Sequence, residues 1–332
     1  MSIRVGIVGL AGVGTAHVNL FGAAEGVEIA AVCDINEGVL AEHAAKSGAK
    51  PYTSYEAMLA GEQLDAVSLC TPPKLHAPMT EQAAARGLHV LCEKPMAPSI
   101  TECQRMIDAC GAGGVKLMIA LKKRFAPMYE RIRSFTDGEA GQPTWACARY
   151  ALGRVEKDWF WAEDDGGGPL LENSVHMIDI LRSFMGDVVR VTAEGGTLFM
   201  ADRAPVADAA AATLKFASGG VASLGIGYGC EWSMARTEVV LATPKMVFEL
   251  EGSFDRADQL RYCRRDNPGD VVVEMAEEPY GGGFPEEIAH FVDCVANDKA
   301  PLADGVVGRE SARICLAVKE SIRTGKPVVI GE

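Results

Sequence analysis

The first third of the chain alternates short, continuous apolar runs with longer amphipathic stretches. Residues 4–8, 27–33, 65–70, 88–92 and 116–120 are runs rich in Val, Ile, Leu, Ala and Cys, and they predict strands. Between them, residues 12–24, 36–47, 75–86 and 99–110 carry apolar positions at the helical period. A strand that is apolar on both sides has to be covered on both faces, and a helix between successive strands returns the chain so that the next one runs parallel. Residues 1–121 therefore predict an α/β domain built on a doubly wound parallel sheet.

After Phe125-Ala126-Pro127 the period changes. Residues 189–194, 222–228 and 237–242 alternate apolar with polar or small positions, which predicts antiparallel strands with one buried face. Residues 122–332 are expected to form a second, α+β domain, and two domains imply a cleft between them. Its glycine-rich joints are Asp164-Asp165-Gly166-Gly167-Gly168 and Tyr280-Gly281-Gly282-Gly283. The second joint leads into Pro285-Glu286-Glu287, a proline followed by acidic residues, which marks the start of a helix. A last helix is predicted over 307–323, and the chain has neither an internal repeat nor a low-complexity tract.

Composition narrows the partners. With 48% hydrophobic and 23% charged residues, the chain needs neither a disordered nor a fibrous reading. A formal charge of −13 opposes binding to nucleic acid, and Lys122-Lys123-Arg124 is the only short basic cluster. The ten cysteines form no Cys-x-x-Cys pair and mostly sit inside apolar runs, as expected of reduced thiols in the cytoplasm. No apolar stretch reaches the ~18 residues of a membrane span, and Met1-Ser2-Ile3-Arg4 runs straight into the first strand, so neither a membrane partner nor a targeting segment is predicted.

The candidate chemistry gathers at the predicted strand ends. Gly9-Leu10-Ala11-Gly12-Val13-Gly14 links the first strand to the first helix, where free backbone amides and the positive end of the helix dipole suit a pyrophosphate. The spacing fits G-x-G-x-x-G except that Ala11 holds the second glycine position, for which Gly12 is a candidate substitute. Asp34 ends the second strand, 20 residues after Gly14, where its carboxylate can take both ribose hydroxyls and repel a 2′-phosphate. Neither Ile35 nor Asn36 offers a cation for that phosphate, so NAD is favoured over NADP. Thr71-Pro72-Pro73-Lys74-Leu75-His76 follows the third strand and is expected at the same edge, with His76 read either as a site residue or as an ordinary first-turn residue. At the end of the fourth strand stands Glu93-Lys94-Pro95. The proline bars Lys94 from helical angles and leaves its ammonium on an extended stub where a parallel sheet opens toward its ligand.

The second domain has one dense stretch, residues 166–179. Glu172, His176 and Asp179 are spaced four and three apart, so a continuous helix would bring them to one face. A carboxylate one turn from an imidazole can orient it as a general base near neutral pH. A structural helix-start cluster accounts for the same pattern. Two carboxylates and one histidine on a single helix do not complete a metal site, and none is predicted.

Taken together, these residues resemble the glucose-fructose oxidoreductase and inositol dehydrogenase family, also called Gfo/Idh/MocA. The resemblance runs from the glycine turn, His17 and Asp34 through Thr71-Pro72, His76 and Glu93-Lys94-Pro95 to Arg124-Phe125, residues 166–179 and the ending Glu320-Ser321-Ile322-Arg323-Thr324-Gly325-Lys326-Pro327-Val328. It implies a Rossmann domain followed by a domain with a large open antiparallel sheet, through which the chain forms a homo-oligomer, a dimer or tetramer. It also implies NAD(P)-linked oxidation or reduction of a sugar or cyclitol carbon. In that reading Gly9, Ala11, Gly12, Val13, Gly14, Asp34, Ile35, Thr71, Pro72, Pro73, His76, Glu93 and Lys94 hold the cofactor, with Glu93 at the nicotinamide ribose. Lys94 stabilises the alkoxide of a small neutral polyol, and His176 accepts its proton. Arg124, Trp161, Glu172 and Asn173 complete the substrate set, Trp161 either as a stacking wall or as packing. The family commonly has aspartate four residues before the histidine. Here it is Glu172, which contacts substrate, orients His176, or yields its place to Asn173. Two other functions use or tolerate the same framework: a glycosidase or lyase with transient internal redox, and a non-catalytic dinucleotide sensor.

Overall fold

The structure is a computed structural model that describes residues 2–203, 205–253, 256–276 and 282–331. Tyr280 and Gly281 of the second glycine joint lie outside the described residues. The chain forms two compact units, Met1–Leu121 with Phe284–Arg309, and Lys122–Gly283 with Glu310–Glu332.

In the first unit the elements follow in the order β1 (Ile3–Val8), α1 (Val13–Ala23), β2 (Val27–Cys33), α2 (Glu37–Ser47), β3 (Lys50–Tyr52), α3 (Tyr55–Gly61), β4 (Ala66–Leu69), α4 (His76–Ala84), β5 (His89–Cys92), α5 (Ile100–Gly113) and β6 (Leu117–Ile119). The strands form a six-stranded sheet in the order β3-β2-β1-β4-β5-β6, every neighbour pair parallel. Every residue of β4 is buried, as the unbroken apolar runs require. From β1 the chain winds first toward β2 and β3, then crosses to β4, so the switch point falls between β1 and β4. A ligand crevice belongs outside the carboxyl ends of those strands.

The first unit is completed from far along the sequence, where the expected division into 1–121 and 122–332 does not follow the fold. Helix α10 (Phe284–Ala296) buries Ile288, Phe291 and Cys294. Phe291 meets Phe21 of α1 edge-on at 6.4 Å, and Phe284 meets His17 at 6.3 Å. Further on, the Ile119 amide donates to the Ala303 carbonyl at 2.8 Å. The apolar face of α10 needs a partner, and the exposed side of α1 supplies it.

The second unit carries α6 (Pro127–Thr136), β7 (Trp145–Ala151), α7 (Asp158–Trp161), α8 (Pro169–Glu172), α9 (Ser174–Met185), β8 (Val188–Gly196), β9 (Ala209–Phe216), β10 (Val221–Gly227), β11 (Arg236–Ala242), β12 (Met246–Gly252), β13 (Gln259–Arg264), β14 (Asn267–Met275) and β15 (Val328–Val329). Helix α11 (Gly305–Thr324) starts in the first unit and ends in the second. The strands form a nine-stranded sheet in the order β14-β13-β12-β11-β7-β10-β9-β8-β15. The sheet is mixed rather than purely antiparallel, because β7 and β10 pair parallel. The chain leaves β7 through α7, α8 and α9 and re-enters by β8 and β9, a crossover long enough to reverse the direction of return. Burial alternates along β7, β10 and β11, leaving one face of the sheet open. Among the described residues no helix is long and apolar enough to cross a membrane.

Candidate functional site

The carboxyl ends of β2, β1, β4 and β5 stand side by side and carry Asp34, Gly9, Thr71 and Lys94. Backbone bonds fix this line: Asp34 N to Tyr52 O at 3.1 Å, Gly9 N to Cys33 O at 2.9 Å, Cys70 N to Val8 O at 2.8 Å and Glu93 N to Leu69 O at 2.9 Å. Helices α2, α3 and α5 are each capped by a side chain, from Asn36, Ser54 and Ser99. Helix α1 is not: Gly12 precedes it, no side chain caps it, and its first turn has no acidic residue. The positive end of this 11-residue helix is therefore left for an outside anion.

The glycines have separate reasons. Gly9 has φ +81°, and a Cβ there would lie 2.7 Å from the Cys70 carbonyl oxygen, so the β1 and β4 ends could not approach. A Cβ on Gly14 would lie 1.9 Å from the Gly9 carbonyl oxygen. Gly12 takes φ +59°. Ala11 is not among the residues with positive φ and is exposed, so its methyl strains nothing; the left-handed position falls on Gly12. Asp34 ties the turn down, its Oδ2 accepting from Leu10 N at 2.7 Å and its Oδ1 from Asn36 N at 2.8 Å. Ile35, 91% exposed, stands beside it. These residues suit a dinucleotide: an uncapped helix start, a turn with glycine at its close-approach and left-handed positions, and an acidic strand end.

Lys94 is half-buried and its peptide bond to Pro95 is cis. Glu93 is only 5% exposed, and both its oxygens are engaged by the chain itself. Oε1 lies 3.1 Å from Nε2 of His17, and Oε2 accepts from Lys94 N at 3.1 Å. His17 is fully buried, and its Nδ1 lies 2.7 Å from Oγ of Ser68. Burial opposes the His17 cation, but Cys70 and Glu93 more than offset it and raise its pKa well above the ordinary value. Burial likewise works against the Glu93 carboxylate, yet His17 and Lys94 hold its pKa below the usual range. His76 is buried too, with Nε2 2.8 Å from Thr71 O and Nδ1 3.1 Å from Pro95 O and 3.2 Å from Met96 O. It braces the Thr71 loop against the Lys94-Pro95 loop. Burial lowers its pKa, against the pull of those carbonyls.

In the second unit the expected single helix is broken. Helix α8 ends at Glu172, Asn173 takes φ −109° and ψ −30°, and α9 starts at Ser174. The break separates Glu172 from His176, whereas Asp179 shares α9 with His176 and is engaged elsewhere. It takes a bidentate pair from Arg124, Nε to Oδ2 at 2.6 Å and an amino nitrogen to Oδ1 at 2.8 Å, and Ser311 Oγ donates to Oδ1 at 3.0 Å. Arg124 is thus bound to α9, although the resemblance implies that it reads substrate. Glu172, Asn173 and His176 are all buried, on either side of the break. Trp161 is buried, donates to Val155 O at 2.7 Å, and packs against Phe160 at 5.3 Å and Tyr228 at 6.2 Å. That geometry matches packing rather than a stacking wall.

Sequence reasoning missed Tyr228. It is buried just past β10, and its hydroxyl donates to the Pro169 carbonyl at 2.9 Å. Burial, then the charge of Glu172, push its pKa well above the ordinary phenol value, while a hydrogen bond with Asn173 opposes them. Its only sequence signal was an aromatic closing an alternating strand. Lys122 and Lys123 of the short basic cluster are buried, and Lys123 Nζ lies 5.8 Å from the Tyr150 ring centre.

Comparison with known proteins gives consistent matches over both units. Residues 3–121 match the model of the oxidoreductase family with an NAD-binding Rossmann fold, and residues 129–243 match the GFO/IDH/MocA C-terminal domain. The chain is 28% identical to the uncharacterized oxidoreductase YrbE of Bacillus subtilis (strain 168), over 99% of this chain and 96% of that one. It is 24% identical to the myo-inositol 2-dehydrogenase of Thermotoga maritima over 99% of each. Among solved structures, an aldose-aldose oxidoreductase from Caulobacter crescentus, complexed with glycerol, superposes with a TM-score of 0.86 at 27% identity, covering 99% of this chain and 100% of that one.

Proposed function

Since this chain belongs to the Gfo/Idh/MocA family and carries its NAD-binding domain, we propose that it is an NAD-dependent dehydrogenase oxidising a ring-carbon hydroxyl of a sugar, sugar derivative or cyclitol. The observation that carries this reading is the placement of Lys94: its amide is held by a buried carboxylate at the carboxyl end of β5, in line with an uncapped helix start and Asp34. Relatives named for inositol and for aldoses support the substrate class.

When bound, NAD supplies the hydride acceptor. The glycine turn and the start of α1 hold its phosphates, and Asp34 holds the adenosine ribose. The Lys94 ammonium donates to the reacting hydroxyl and stabilises the negative charge that develops on its oxygen. His176 takes the proton, and the neighbouring Glu172 and Asn173 read adjacent hydroxyls. Arg124 keeps α9 in place through Asp179. Val221 and Trp145 are paired neighbours on the open face of the nine-stranded sheet, both partly exposed, which supports assembly of a homo-oligomer through that face. The free cysteines support a cytoplasmic setting.

The test follows NADH absorbance across a panel of inositols, hexoses, anhydrosugars and sugar acids. Lys94→Ala and His176→Ala are each expected to lower kcat by roughly 10²- to 10⁴-fold while NAD affinity stays within a few-fold. Wild-type turnover in either variant refutes that residue's role. Product formed without stoichiometric NADH identifies instead the glycosidase with internal redox.

A further inference from the structure

We infer that His17 is a positioning residue for Lys94: its buried imidazole, anchored on Ser68, fixes the Glu93 carboxylate, and the second oxygen of that carboxylate holds the Lys94 amide. The inference rests on the reading of Lys94 as the catalytic cation, and it assigns His17 to the chemistry although it touches no reactant.

The geometry leaves little freedom. An ionised carboxylate only accepts hydrogen bonds, so Nε2 of His17 must carry the proton it shares with Glu93 Oε1 at 3.1 Å. Nδ1 is then satisfied by Ser68 Oγ at 2.7 Å in either protonation state, since a hydroxyl both donates and accepts. The relay therefore runs from α1 through β4 to the end of β5, with Cys70 beside Ser68 at 3.7 Å. A carboxylate buried as deeply as Glu93 is stable only with a cation or donors, and losing one would leave an uncompensated charge beneath the Lys94 loop. The groups facing the imidazole are Ser68 in β4, Cys70 just past it and Glu93 after β5, with Lys94 acting on Glu93; the helices contribute Phe21 and Phe284, which carry no charge. The raised pKa of His17 agrees with a cation in this position.

The NMR and exchange measurements use the full chain without cofactor and need no substrate. Nitrogen NMR of the histidine side chains is expected to show Nε2 of His17 protonated at neutral pH, and this signature is expected to change in Glu93→Gln. Hydrogen exchange at the Lys94 amide is expected to quicken roughly tenfold in His17→Ala, the worth of about one hydrogen bond, and His17→Gln, which retains a donor, is expected to recover much of the protection. Should His17→Ala fail to fold, Ser68→Ala, which removes the anchor of the imidazole, must show the same faster exchange. An unprotonated Nε2 on His17, or Lys94 exchange unchanged in the folded variants, overturns the inference. So does a loss of NADH affinity beyond about tenfold in His17→Gln, because His17 would then support the whole cofactor face rather than Lys94. A Lys94→Ala enzyme that keeps its turnover defeats the proposed function without altering these readouts.

Discussion

Asp34 performs two tasks with one carboxylate. One oxygen pins the Leu10 amide and the other the Asn36 amide, so the same group shapes the glycine turn and precedes the cap of α2. Its negative charge opposes a 2′-phosphate, since like charges brought together cost several kcal/mol. Asp34→Asn keeps an acceptor but removes the charge. The expected outcome is a preference for NADH over NADPH reduced by roughly tenfold or more, read from fluorescence titrations of both; an unchanged ratio contradicts the role. Asp34, Lys94 and the glycines were legible in the sequence because each lies within a few residues of a strand end, where chain position alone fixes location. Tyr228 and the Arg124-Asp179 pair were not, because their partners are set by packing between segments 55 or more residues apart.

The helix start at residues 12–14 depends on absent side chains. A methyl on Gly14 would meet backbone, the Gly9 carbonyl, which cannot swing aside as a side chain could. Gly14→Ala is expected to cost about 1–3 kcal/mol of stability and most of the NADH affinity. Ala11→Gly is expected to change little, since residue 11 needs no left-handed angle. Thermal melts and NADH titrations of the pair check both, and equal effects would refute the separate roles given to these positions. The parallel-strand period and the end of α2 at Gly48, which takes φ +71°, could be read from the sequence. The break at Asn173 could not: Glu172 keeps helical spacing to His176, and only the backbone at Asn173 separates it from α9.

Stability of the whole molecule should record the His17-Glu93 pair. A raised histidine pKa contributes stability that is fully present below the ordinary value of 6.5 and lost as pH rises through the folded value. A lowered carboxylate pKa contributes stability present above 4.5 and lost as pH falls through the folded value. The pair therefore stabilises most between 4.5 and 6.5. The difference in melting temperature between wild type and Glu93→Gln is expected to be largest in that window and to shrink on both sides; a difference that keeps growing toward alkaline pH is inconsistent with the pair. At this scale the sequence announced two fold types and their junction near residue 121, since a change of period is a local signal. It was silent on the parallel β7-β10 pairing and on the return of residues 284–309, which are decided by which surfaces remain uncovered. That return carries a consequence for synthesis. Phe21 leaves the ribosome well before Phe291, so the first unit emerges with one flank bare and closes only after strands β7 to β14 have been made.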